Sequence, residues 1–112
     1  MVSVETERDG DVLTLSVSGE VDLATSPVVD DAITEAIVTS GANTVSVDLS
    51  AVEFLDSSGI ALLLKGRRRA DERGVAYRVT GAQGTPLQVL RIAGVWGHLS
   101  GETDPSGQSV RP

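Results

Sequence analysis

Leu55-Asp56-Ser57-Ser58-Gly59-Ile60 marks the point where an apolar strand and loop give way to a helix, and it sets two hydroxyls at that junction. Upstream, Val45, Val47 and Leu49 alternate with Ser46, Asp48 and Ser50, the period of a strand covered on one face. Ala51 to Leu55 then reads as an apolar connection. Downstream, Ile60, Leu63 and Leu64 recur at helical spacing, and Gly66 and Ala70 allow a close approach to a neighbour. Lys65, Arg67, Arg68, Arg69 and Arg73 lie late in this segment, where cations complement the helix dipole, and Gly74 stops it. The junction therefore begins a helix running from about Ser57 to Arg73.

Working outward, Val2 to Thr6 and Val12 to Ser18 alternate with period two around Arg8-Asp9-Gly10-Asp11, which holds the Asp-Gly pair favoured by tight hairpins. Leu13, Leu15 and Val17 share one face of the second strand, while Thr14, Ser16 and Ser18 share the other. Ser26-Pro27 has the form of a helix cap followed by proline, and Val29, Ala32, Ile33, Ala36 and Ile37 follow at helical spacing until about Ser40-Gly41. Val75, Tyr77 and Val79 supply a fourth strand. Thr85-Pro86-Leu87-Gln88 reads as a capping box opening a third helix that ends near Ala93-Gly94, and Val95 to Leu99 is the candidate for a fifth strand. The order predicts one α/β domain over residues 1–99, a mixed sheet of four to five strands with helices packed on one face. Residues 100–112 have almost nothing to bury and read as a polar, disordered tail.

Composition narrows the function. There is no cysteine among the 112 residues, which excludes disulfides and thiolate metal sites and favours a reducing compartment. No stretch reaches the roughly 18 apolar residues of a membrane span, and no basic-then-apolar leader opens the chain, so a soluble cytoplasmic protein without membrane contact is expected. The net charge of −7 argues against nucleic acid. From Met1 to Ser58 the only base is Arg8, against twelve acids, whereas from Gly59 onward eight bases face four acids. A chain so divided presents an acidic surface to a basic partner, or is simply kept soluble by it.

The two serines are poor hydrolase nucleophiles. The only histidine, His98, lies far along the chain, and no Gly-x-Ser-x-Gly elbow surrounds them. The acids show no calcium-loop spacing, and Gly81-Ala82-Gln83-Gly84 lacks the lysine and serine of a nucleotide loop. Arg67-Arg68-Arg69 reads as a solvated helix end. Two readings of Ser57 and Ser58 stay open on the residues alone. One is capping, a role for which Asp56 would suffice. The other is phosphate acceptance, since the unpaired amides and positive dipole of a first helical turn favour an anion.

Three stretches carry a resemblance: Gly19-Glu20-Val21-Asp22, then Val47-Asp48-Leu49-Ser50 with Phe54-Leu55, then Asp56-Ser57-Ser58-Gly59. The chain resembles the bacterial anti-sigma factor antagonists of the STAS family over about residues 2–99. The resemblance implies a non-enzymatic protein without a cofactor of its own. Unphosphorylated, it binds an anti-sigma factor that is often a serine kinase, and so frees a sigma factor. Phosphorylation reverses this, with ATP held by the kinase and a separate serine phosphatase restoring the hydroxyl. The phosphoacceptor falls on Ser58, with Ser57 as second choice, and Asp22, Asp56, Ser57, Ser58 and Gly59 fall on the partner surface. The expected state is a monomer or weak dimer. An unphosphorylated STAS adaptor or scaffold in a signalling assembly is the alternative.

Overall fold

The computed structural model describes residues 1–101. Strands β1 (Val2–Asp9) and β2 (Val12–Val21) form the expected hairpin, with Asp9 paired to Val12 across Gly10-Asp11. Helix α1 (Ser26–Thr39), strand β3 (Thr44–Leu55), helix α2 (Ser57–Arg73), strand β4 (Ala76–Thr80) and helices α3 (Gly84–Ile92) and α4 (Trp96–Ser100) follow. The sheet order is β1-β2-β3-β4, antiparallel in the hairpin and parallel from β2 to β3 and from β3 to β4. This is the mixed α/β sheet expected, with four strands.

The core lies on the sheet face that carries Leu15 and Val17 of β2, Val45, Val47 and Leu49 of β3, and Tyr77 and Val79 of β4. Val29, Ile33 and Ile37 of α1 and Leu62, Leu63 and Ala70 of α2 close over it. A Cβ on Gly66 would stand 2.7 Å from Tyr77 Oη and 3.0 Å from Ile33 Cγ2, so the missing side chain is what lets α2 seat on the sheet beside α1. Tyr77 donates its hydroxyl proton to the Leu63 carbonyl at 3.0 Å, which satisfies a polar group buried in that contact.

Several boundaries differ from the sequence reading. Residues 51–55 are not a loop but the second half of β3. Val17 alone of β2 faces both Leu49 and Ser50, and Gly19 and Glu20 pair with Val52 and Phe54, so β3 carries an extra residue at two bulges. Each bulge turns the strand, which puts Leu49, Val52 and Leu55, three residues apart, on the buried side. The Asp48 carboxylate holds the first bulge by accepting from the Ser50 amide at 2.9 Å.

The predicted fifth strand at Val95 to Leu99 is instead α4, and Ser100, read as the start of a tail, is its last residue and buried. Val95 and Trp96 lie four and three residues before Leu99, a helical spacing as well as a strand-like one, and the helix packs against β4. Helix α1 is capped at Thr25, one residue before the expected Ser26, with no side-chain cap bond. The capping box at Thr85 does not form either: α3 starts at Gly84, and the Gln83 side-chain Nε2 donates to the Ser50 carbonyl at 3.0 Å. The remainder of the expected tail, 102–112, lies outside the described residues.

Candidate functional site

The site forms where β2 and β3 end side by side. Val21 is registered against Leu55, and the Asp56 amide donates to the Val21 carbonyl at 3.3 Å. Asp22 and Asp56 each follow the last residue of one of these parallel strands, at the carboxyl edge of the sheet where α/β folds place their ligands. Two segments far apart in sequence thereby become one acidic surface.

Asp56 caps α2. Its backbone is extended (φ −109°, ψ −168°), and its Oδ1 accepts from the Ser58 amide at 2.9 Å and the Gly59 amide at 3.3 Å. Its carbonyl accepts from the Ile60 amide at 3.1 Å. This is the geometry of a side-chain N-cap. Capping is thus done by Asp56, and neither serine is needed for it. Ser57 is exposed and Ser58 half-buried, and neither hydroxyl has a hydrogen-bond partner among the described residues.

Ser58 lines a shallow groove of about 330 Å³ between α1 and α2, with Ser26, Asp30 and Asp31 on one wall and Ala61 and Lys65 on its own helix. Lys65 Nζ crosses the groove to Asp30 Oδ2 at 2.8 Å. Gly59 has a different place from the one expected of it. It is buried, and a Cβ there would collide with Leu55 Cδ1 and lie 3.1 Å from Val21 Cγ1. Gly59 lets the first turn of α2 sit on the ends of β2 and β3, and so positions Ser58 rather than presenting a surface of its own.

Asp22 is tied into the β2–α1 turn. Its Oδ1 accepts from the Thr25 amide at 3.0 Å and the Thr25 hydroxyl at 3.1 Å, and the Thr25 Oγ1 accepts from the Asp22 amide at 2.9 Å. The hydrogen bond from the Thr25 amide holds the Asp22 carboxyl below the usual carboxylate range, and the Thr25 hydroxyl and Ala24 amide act in the same direction against partial desolvation. The sequence reading missed Thr25, although Asp22-x-x-Thr25 is a turn-closing pattern of the kind short polar side chains make. It also passed over Leu23 and quoted Phe54 only as part of a family-like stretch; both leave large apolar side chains exposed, Leu23 one residue after Asp22 and Phe54 two residues before Asp56.

Rival chemistries find little here. His98 lies in α4, where Arg67 donates to its carbonyl at 2.8 Å, in the second half of α2 and not at its start. Among the described residues no group of three or more His, Cys, Asp or Glu side chains could hold a metal ion, and no helix is long and apolar enough to cross a membrane. What the described residues form is an α/β domain of the one-sided mixed-sheet class, with an accessible serine at a capped helix start.

Comparison with known proteins agrees with that class. The family described as Mlab, STAS domain, matches residues 4–107, and the chain belongs to the STAS domain family. The anti-sigma-F factor antagonist RsfB of Mycobacterium tuberculosis (strain H37Rv) is 39% identical over 62 residues, covering 55% of this chain and 50% of that protein. The chain thus spans about half the length of the curated relatives it matches. The crystal structure of an anti-sigma factor antagonist from Mycobacterium paratuberculosis superposes with a TM-score of 0.77 at 29% identity, over 85% of this chain and 80% of that one. The Bacillus cell fate determinant SpoIIAA in its phosphorylated form shares the fold, with a TM-score of 0.65 at 21% identity over 84% and 87% of the two chains.

Proposed function

We propose that this protein is an anti-sigma factor antagonist: unphosphorylated, it binds an anti-sigma factor of the serine-kinase type and so releases a sigma factor, and phosphorylation of Ser58 ends the binding. The observation that carries the reading is the division of labour at the start of α2, where Asp56 makes the cap and leaves the Ser58 hydroxyl unengaged in an open groove. The relatives named anti-sigma factor antagonists support it.

Asp22, Asp56, Ser57 and Ser58 form the partner surface on this reading, with Gly59 beneath them. Phosphorylation adds about −1.5 to −2 charges at a spot already bordered by Asp30, Asp31 and Asp56. Acidic groups on the partner would be repelled and a close-packed contact blocked, without any change of fold. The first turn of α2 tolerates the phosphate within the protein, because its dipole and amides favour an anion. The protein acts in the cytosol as substrate and ligand. ATP belongs to the kinase, and a serine phosphatase restores the hydroxyl.

Incubation with a serine-kinase anti-sigma factor and ATP should add one phosphoryl group by mass spectrometry. Ser58→Ala should abolish that shift and retain binding, and Ser58→Asp should weaken binding. Stoichiometric phosphorylation of the alanine variant would move the acceptor to Ser57.

A further inference from the structure

We propose that Lys65 is the counter-ion of phosphorylated Ser58, its ammonium leaving Asp30 for the phosphate when the serine is modified. Lys65 thereby tunes the switch proposed above, and its role rests on that reading of Ser58. It is the only lysine in the chain, whose other eight basic residues are arginines. It is also the only base among the residues lining the Ser58 groove.

Helix geometry brings the two residues together. Ser58, Ala61, Leu62 and Lys65 follow at i, i+3, i+4 and i+7, one stripe of α2, and all four line the groove. Side chains of an α-helix lean towards its N-terminus, so the long stem of Lys65 is directed back along this stripe to the serine. Its Nζ already reaches Asp30 Oδ2 at 2.8 Å. Asp30 stands four residues after Ser26, the first residue of α1, which lines the groove together with Ser58. Four residues are about one helical turn, or about 6 Å, so the ammonium lies within roughly that distance of the serine end of the groove. A phosphoryl group on Ser58 Oγ extends into that interval.

Charge decides which anion Lys65 holds. The acids around the serine are Asp30 and Asp31 on α1 and Asp56 at the head of α2, whose Oδ1 is taken by the Ser58 and Gly59 amides; Asp22, in the turn before α1, is held by Thr25. The Lys65–Asp30 pair joins one charge to one charge at the surface, an arrangement that is individually weak. A phosphoserine offers about −1.5 to −2 charges and three acceptor oxygens. Attraction scales with the product of the charges, so at equal distance the phosphate draws the ammonium up to about twice as strongly as Asp30 does. Neighbouring bases are committed elsewhere: Arg69 donates to Thr34 at 2.7 Å, and Arg67 is engaged with Asp71 and the His98 carbonyl. The exchange spreads the added negative charge across the groove from Ser58 to Asp30, and it removes the ion pair that ties α1 to α2.

Phosphoserine encoded genetically at position 58 supplies the modified protein without a kinase, so failure here is distinguishable from failure of the function proposed above. With isotope-labelled lysine the chain gives one side-chain ammonium signal, because Lys65 is its only lysine. In the phosphoprotein that signal should move with the second ionisation of the phosphate, at the midpoint read by phosphorus NMR. In the unmodified chain it should stay still over the same pH range. Lys65→Gln should raise the second pKa of the phosphate, ordinarily about 6, by about 0.5–1, and Lys65→Arg should restore it. Asp30→Asn, which frees the ammonium, should lower it, whereas a lysine that acts only by holding α1 beside α2 would make Asp30→Asn and Lys65→Gln alike. Circular dichroism establishes that each variant is folded. A lysine signal that does not follow the phosphate, a phosphate titration unmoved by Lys65→Gln, or one moved upward by Asp30→Asn would each overturn the proposal.

Discussion

Replacing Gly59 by alanine should destabilise the protein and disturb the site together. The added methyl would collide with Leu55 Cδ1, stand 3.0 Å from Leu55 Cγ and 3.1 Å from Val21 Cγ1. Both neighbours are core residues at the ends of β3 and β2, only 3% and 2% exposed, so neither can swing into solvent. Overpacking of this kind costs about 1–3 kcal/mol. The gain in helix propensity from glycine to alanine, at most about 1 kcal/mol and less in a first turn, offsets part of it. The expected loss is about 1–2 kcal/mol in urea unfolding, or a melting temperature lower by about 5–15 °C for a domain of this size. The pair Leu55→Val/Gly59→Ala tests the cause, because valine removes the opposing δ-carbon. The double variant should be more stable than the sum of the single effects by about 1 kcal/mol. Gly59→Ala at or above wild-type stability, or additivity in the double variant, would refute the packing argument and return Gly59 to a surface role.

Asp56→Ala should cost about 0.5–2 kcal/mol through the lost cap, while Asp56→Asn, which can still accept from the Ser58 and Gly59 amides, should cost only a few tenths in urea unfolding. Against the proposed anti-sigma partner, weak binding by Asp56→Asn would show that the charge, and not only the cap, is recognised. Asp22 has its carboxyl pKa lowered from 3.8, so its contribution to stability is full above that value and is lost as pH falls through the folded-state pKa; acid unfolding should show this loss and Asp22→Asn should lack it. Tyr77, the only tyrosine, is driven well above its ordinary pKa of 10.0 by burial, so its share of stability is complete below pH 10 and fades as the solution becomes more alkaline. Spectrophotometric titration should show no tyrosinate until the protein unfolds.

If the charge division between the two halves of the chain serves the proposed switch, it does so through placement. Asp22 and Asp56 meet because β2 and β3 are parallel neighbours, and Asp30 and Asp31 join them because α1 packs beside α2. The half rich in bases adds one cation to this surface, Lys65, which pairs with Asp30, and most of its remaining charge runs along the later turns of α2.

Local chemistry was legible wherever one periodicity dominated. Leu13, Leu15 and Val17 marked β2, Val29 to Ile37 marked α1, and the span of α2 could be read to its ends because the Asp56-Ser57-Ser58 cluster at its start and Gly74 after it punctuate the chain whichever polar residue makes the cap. Gly74 takes φ 70° and receives the chain in the left-handed turn that a side chain would strain. Residues 51–55 could not be read as strand, because two bulges replace the period of two by a spacing of three. Val95 to Leu99 could not be assigned, because five residues fit both periods and only packing against β4 chooses the helix.

The sequence by itself determined the order of elements, the one-sided core and the Asp56-Ser57-Ser58-Gly59 helix start, because these depend on contacts within a few residues of one another. Only the tertiary structure decided what each of the four does. The cap falls to Asp56 because its carboxylate reaches two amides, and the open hydroxyl to Ser58 because α1 leaves a groove beside it. Gly59 is held to glycine by Val21 and Leu55, residues of two strands that the chain brings together only when the sheet forms.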